Sequence, residues 1–219
     1  MFSLVVFDWD GTLMDSEARI VGCLQAAARD CAVPEPGRTA ARDVIGLGLD
    51  QAIATLFPRQ AAAAHAQLAR RYREHFLVLN QMRSELFPGV AATLADLAER
   101  GYMLAVATGK SRRGLDRELH ETGLGDLFHA TRCADETLSK PNPLMLLEVM
   151  DELGAEAGET LMVGDTEYDI LMASNAGAAA LGVSYGVHEP ERLLASGALG
   201  YLQRLDELPR WLEKARLTA

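Results

Sequence analysis

Four short runs of unbroken apolar residues constrain this chain more than anything else in it: Leu4 to Phe7, Met103 to Ala107, Leu161 to Val163, and the weaker Ala178 to Val183. A strand with one wet face alternates apolar and polar residues. A run without alternation needs cover on both faces, as in a parallel sheet between two helix layers. The segments between the runs supply those helices. Val90, Leu94 and Leu97 share one face before Gly101, Leu115 and Leu119 precede Gly123, and Leu146, Val149 and Leu153 precede Gly154. A glycine just past the last periodic residue is a helix stop signal. Strands alternating with helices across short turns predict a doubly wound α/β domain with a parallel sheet.

One region breaks this alternation. From Glu17 to Ser84 no strand pattern is present, and helical spacings replace it: Ile20, Leu24, Ala27 and Cys31; Leu49, Ile53 and Leu56; Leu68, Tyr72, Phe76 and Leu79. "PEPG" and "FPRQ" punctuate them. Residues 17–84 are therefore expected to form a small α-helical cap domain, with 1–16 and 85–219 forming the α/β core. A helical block inserted straight after the first strand sits over the carboxyl ends of the strands, where open α/β sheets bind ligands.

Hydrophobic residues make up 49% of the 219, enough for a core that needs no disulfide or structural metal. Cys23, Cys31 and Cys133 are scattered and odd in number, so buried free thiols in a reducing compartment are expected. The net charge of −10 opposes nonspecific binding to nucleic acid or to an anionic membrane. The opening MFSLVVF lacks a basic start and is cut off by Asp8, and no apolar stretch is long enough for a span. A cytoplasmic protein is expected.

The chemistry lies where the apolar runs stop. The first, in "VVFDWDGTLMDS", ends in Asp8 and Asp10; the second ends in "ATGKS" with Thr108; the third ends in "GDTEYD" with Asp165 and Asp169; and "SKPNP" places Lys140 between the last two. In a parallel sheet these all fall at one edge. Carboxylates crowded together without a counter-ion repel, and a divalent cation resolves the repulsion. Oxygen ligands without a histidine or cysteine cluster point to Mg²⁺ rather than zinc. A carboxylate can attack phosphorus to give an aspartyl-phosphate. A second carboxylate, two residues on and beyond the turn at Gly11, can protonate the leaving group and later serve as base for water.

"DWDGTLMDS", "ATGK", "SKPNP" and "GDTEYDILMASNAG" resemble, in order, the four signature motifs of the haloacid dehalogenase (HAD) superfamily of phosphohydrolases, with its Rossmann-like core. The insert resembles the cap of the subfamily that contains phosphoglycolate phosphatases and β-phosphoglucomutases. The resemblance implies Asp8 as nucleophile and metal ligand, and Asp10 as acid/base and ligand through its backbone carbonyl. It implies Thr108 and Gly109 at the phosphate, Lys140 balancing charge on Asp8 and the phosphoryl group, Asp165 on the metal, and Asp169 orienting a ligand water or Lys140. A second aspartate at Asp10 speaks against carbon–halogen cleavage, which needs no leaving-group acid there.

Lys110, at a helix start where positive charge opposes the macrodipole, is expected to contact the substrate's non-reacting end. Arg112 and Arg113 are expected on a solvated face. In "ARDVIGLGLDQ", Arg42 and two glycines, Gly46 and Gly48, form a loop that could dip to the active site and read the leaving group. Trp9 and the five histidines are expected to be structural. The expected partner is a small phosphorylated metabolite. Phosphoglycolate leads by cap length and the "TGK" stretch, with pyrophosphate, nucleotides and sugar phosphates left open. The rivals are a β-phosphoglucomutase-like phosphomutase, for which the insert shows no sugar-reading cluster, and a noncatalytic phosphometabolite-binding protein, which should carry a broken motif. A monomer or weak dimer suffices, since every matched residue comes from one chain.

Overall fold

The computed structural model describes residues 1–218. In chain order its elements are β1 (Leu4–Phe7), β2 (Met14–Asp15), α1 (Glu17–Asp30), α2 (Arg38–Asp43), α3 (Leu49–Leu56), α4 (Ala62–Glu74), β3 (Glu85–Leu86), α5 (Val90–Glu99), β4 (Met103–Thr108) and α6 (Arg112–Thr122). There follow β5 (Ala130–Cys133), α7 (Leu144–Leu153), β6 (Thr160–Gly164), α8 (Glu167–Asn175), β7 (Ala179–Val183), α9 (Pro190–Ala195), β8 (Tyr201–Leu202) and α10 (Leu208–Thr218).

Among the described residues, six strands form one parallel sheet in the order β5-β4-β1-β6-β7-β8. Both faces are covered, which is why the central strands read as unbroken apolar runs. Val5 and Phe7 point into one layer with Leu104, Val106, Leu161 and Val163, packed under Leu94 and Leu97 of α5 and Leu208 of α10. Leu4 and Val6 point into the other with Ala105, Ala107 and Met162, under Leu146 of α7 and Ile170 of α8. The expected fold class is found.

Two strands of this sheet were not legible beforehand. Residues Ala130–Cys133 carry Thr131 and Arg132, both half-buried, because β5 is an edge strand that needs less cover. Strand β8 has two residues, too few to show any period.

Between Glu17 and Ser84 the chain is helical and contains no strand. Ile20, Leu24, Ile45, Leu47 and Phe76 form one cluster; Ala28, Ile53, Phe57 and Leu68 form another. The two connections to the core run side by side as an antiparallel ribbon, Met14 opposite Leu86 and Asp15 opposite Glu85. The spacing from Leu68 through Tyr72 and Phe76 predicts Leu79 on the same buried face, yet Leu79 is 49% exposed. The reason is a π-helical turn over His75–Leu79, whose wider winding rotates Leu79 off the stripe. Arg19 and Arg117 donate to the Phe76 and Leu77 carbonyls of this turn.

The three cysteines are free. No helix among the described residues is long and apolar enough to cross a membrane. Leu104, fully buried in the middle of the sheet, reports on the strength of this core. Leu104→Ala should cost about 2–5 kcal/mol of stability in a urea unfolding curve, with an unchanged slope.

Candidate active site

Parallel strands present all their carboxyl ends on one side, and the polar residues that follow them gather there. Asp8 follows β1, Thr108 ends β4, Asp165 follows β6, and Lys140 comes from the loop after β5. All four are fully buried. Asp169 stands at the third position of α8, where its Oδ2 accepts from the Thr166 hydroxyl at 2.7 Å and the Thr166 N–H at 3.1 Å. It therefore does serve as a capping acid. Its Oδ1 does something else: it accepts from Lys140 Nζ at 2.5 Å.

Lys140 is the electrostatic hub. Its ammonium also donates to Asp8 Oδ1 at 2.8 Å. Burial alone would lower its pKa, but the adjacent Asp169 and Asp8 outweigh that and raise it, so it stays charged. Carboxylate oxygens of Asp8, Asp165 and Asp169 lie within 4.8 Å of one another. Burial pushes the Asp8 carboxyl up to about 7 against the pull of Lys140, with Asp169 and Asp10 adding repulsion. Burial, then Asp8 and Asp169, raise Asp165 well above the usual carboxylate range.

The donor set tests whether a cation fits. Asp8, Asp165 and Asp169, all buried, each bring one carboxylate oxygen to the cluster, a set suited to a hard divalent ion. Asp8 Oδ2 is buried without a hydrogen-bond partner. Asp165 is pre-aimed: Oδ1 accepts from the Thr12 hydroxyl at 2.7 Å and Oδ2 from the Val187 N–H at 2.8 Å. The residues present fit such an ion.

Asp10 lies outside the three-carboxylate cluster. Its Oδ1 accepts from the Ser16 hydroxyl at 2.7 Å and from Lys110 Nζ at 3.0 Å. Lys110 is itself buried and also donates to Glu118 Oε1 at 3.3 Å. Glu118 in turn accepts from the indole N–H of Trp9 at 2.6 Å. Burial raises the Glu118 carboxyl, with Lys110 opposing. Lys110 thus pairs with Asp10 and Glu118.

The cap loop comes down on this edge. The Gly48 N–H donates to Ser139 Oγ at 2.7 Å. A β-carbon on Gly109 would lie 2.5 Å from the Gly46 carbonyl oxygen and 2.6 Å from that of Leu47. Glycine at 109 is what lets the cap loop touch the backbone beside Thr108. Between cap and core is a cavity of about 300 Å³, lined by Asp8, Asp10, Thr108, Gly109 and Lys110 on the core side.

Arg42, expected to read the substrate, does not line this cavity. From the last turn of α2 its guanidinium donates to the Gly186 carbonyl at 2.8 Å and pairs with Glu17 at 3.2 Å. Arg112, expected on a solvated face, instead binds Glu136 and the Thr131 carbonyl, tying α6 to β5. Thr12, Ser16, Glu118 and Val187 were missed. Thr12 and Ser16 lie inside the quoted "DWDGTLMDS", whereas nothing local marks Glu118 or Val187.

Removing Lys140 leaves like charges buried together. Lys140→Met should lower stability in divalent-free buffer at pH 7 by about 3–5 kcal/mol, read from urea unfolding.

The chain's residues 5–183 match the model of the haloacid dehalogenase-like hydrolase family. Probable phosphatase IndB of Dickeya dadantii (strain 3937) is 41% identical over 202 residues, 90% of this chain and 87% of that one. A phosphoglycolate phosphatase of Vibrio vulnificus (strain CMCP6) is 32% identical over 201 residues, 88% of each. Among solved structures, a predicted phosphoglycolate phosphatase from Haemophilus somnus 129pt superposes with a TM-score of 0.85 at 25% identity, covering 96% of this chain and 98% of that one. With the four polar knots assembled at one sheet edge and a match across most of its length, the chain belongs to the haloacid dehalogenase-like hydrolases.

Proposed function

We propose that this protein is a Mg²⁺-dependent phosphatase of small phosphomonoesters that works through an aspartyl-phosphate on Asp8. The observation that carries the reading is Asp8 Oδ2, a buried oxygen without a partner at the cavity, on a carboxylate whose other oxygen Lys140 holds. Such an oxygen is positioned and unencumbered for attack.

As the Asp8 Oδ2–phosphorus bond forms, the phosphorus–oxygen bond to the leaving group breaks, and Asp10 delivers a proton to the departing alkoxide. Ser16 and Lys110 hold Asp10 in place for that transfer. Lys140 and the Thr108 hydroxyl face the charge spread over the phosphoryl oxygens. Water then attacks phosphorus and passes a proton to Asp10. The bond to Asp8 breaks, releasing inorganic phosphate and restoring the carboxylate. Asp8, Asp165 and the Asp10 carbonyl would hold Mg²⁺, which neutralises charge between carboxylate and phosphate. The cap loop on Gly109 keeps bulk water from the first step.

The names of relatives support phosphatase chemistry and make phosphoglycolate the first member of the class to assay. Asp8→Asn should show no turnover and no trapping by fluoroberyllate. Asp10→Asn should slow turnover by about 10²–10⁴-fold while still forming phosphoenzyme from an aryl phosphate, whose leaving group needs no acid. Full turnover in Asp8→Asn overturns the mechanism.

A second expectation concerns the ion and pH. A carboxyl at about 7 folded and 3.8 unfolded binds more protons in the folded state across that interval. Its contribution to stability is complete below the unfolded value and is lost as pH rises through 7. Mg²⁺ binds the deprotonated form. The rise in melting temperature on adding Mg²⁺ should therefore be larger at pH 8 than at pH 5.5, measured by scanning calorimetry.

A further inference from the structure

The part of the cavity lining that the cap supplies carries information about the leaving group. Its cap wall is apolar: Ile20, Leu24, Ile45, Leu47 and Leu77, with the Tyr72 ring stacked 5.7 Å from Phe76. Gly109 and Gly114 line the cavity from the core side, and the space between cap and core is a slot bordered by these apolar side chains.

Charge in the slot is already matched. Two cations line it, Lys110 and Arg73. Lys110 is held between Asp10 and Glu118 and lies 4.5 Å from the Phe76 ring centre. Arg73 faces Asp50 at 3.6 Å, and both are open to solvent. Asp50 and Asp135 line the same cavity. An anionic leaving group therefore meets two carboxylates and cations that have partners. An uncharged apolar one meets Leu24, Leu47, Leu77 and Tyr72 and removes their surface from water. The cavity's 300 Å³ also exceeds what a phosphoryl group with a two-carbon acid fills.

From this slot we infer that the enzyme selects phosphomonoesters of uncharged alcohols carrying an apolar, ring-sized body, and disfavours leaving groups with a carboxylate. The inference rests on the phosphatase reading above and names the substrate class of that same site. Phosphoglycolate is then a poor substrate, despite the names of the relatives. Leu77 is a specificity residue in this picture, reached by the π-helical turn that carries it from α4 to the slot.

The test compares kcat/KM with Mg²⁺ for benzyl phosphate, ethyl phosphate and phosphoglycolate. Benzyl and ethyl phosphate have the same charge and leaving groups of similar acidity, so their ratio reports the slot. Benzyl phosphate should exceed both others by at least about tenfold. Leu77→Ser should lower the benzyl-to-ethyl ratio several-fold, mainly through KM. Leu77→Arg, which adds an unpaired cation, should raise phosphoglycolate relative to benzyl phosphate. Each ratio is internal to one variant, so a partly unfolded preparation does not disturb it. Asp8-dependent release with phosphoglycolate equal to or above benzyl phosphate overturns the inference and leaves the phosphatase reading standing. Turnover that persists in Asp8→Asn overturns the phosphatase reading instead.

Discussion

A single buried ammonium organises the catalytic edge. Lys140 sits between Asp8 and Asp169 with no exposure to water. It offsets part of the repulsion among three carboxylates whose oxygens lie within 4.8 Å of one another. The arrangement is costly, because burying ions rarely repays their desolvation. It persists because every oxygen but one has a donor. The Thr166 hydroxyl and N–H hold Asp169, and Thr12 and Val187 hold Asp165. The exception, Asp8 Oδ2, is the atom the proposed chemistry uses.

The same edge is wired to the cap. Val187 gives its N–H to Asp165 while its side chain packs among Ile20, Val21 and Ile45 of the cap cluster. Around it runs a polar seam. Tyr168 donates to the Asp43 carbonyl, Arg192 bridges Asp43 and Glu167, and Arg42 donates to the Gly186 carbonyl. His188, neutral by burial beside Arg192, accepts from the Glu167 N–H. Cap position and the aim of a carboxylate in the acidic cluster are mechanically linked through three residues, Gly186 to His188. Arg42 belongs to this seam, which explains why it is absent from the cavity.

Lys110 illustrates a different use of charge. At the start of α6 its ammonium opposes the helix dipole, and the compensation comes from Asp10 and Glu118 rather than from a ligand. Phe76 adds a ring face at 4.5 Å. The chain from the Trp9 indole through Glu118 and Lys110 to Asp10 fixes the orientation of the proposed acid. In the proposed reading it also occupies the cation that a carboxylate-bearing substrate would need, so one side chain bears on both the acid and the leaving-group preference.

The sequence by itself determined the parallel sheet, the helical insert, and the gathering of Asp8, Thr108, Lys140 and Asp165 at one edge. These follow from local rules: unbroken apolar runs need two covered faces, and parallel strands with right-handed crossovers all end on the same side. Only the tertiary structure decided the strand order, the polar edge strand β5, the two-residue β8, and what each charged side chain touches. Thr12 meets Asp165 across 153 positions, and Trp9 meets Glu118 across 109. Such pairings carry no local period, because their energies arise from burial and mutual charge that exist only once the layers close. Arg42 and Lys110 show the consequence. A cation near a site in sequence reads as a ligand for substrate, and which carboxylate or carbonyl claims it first is settled by packing.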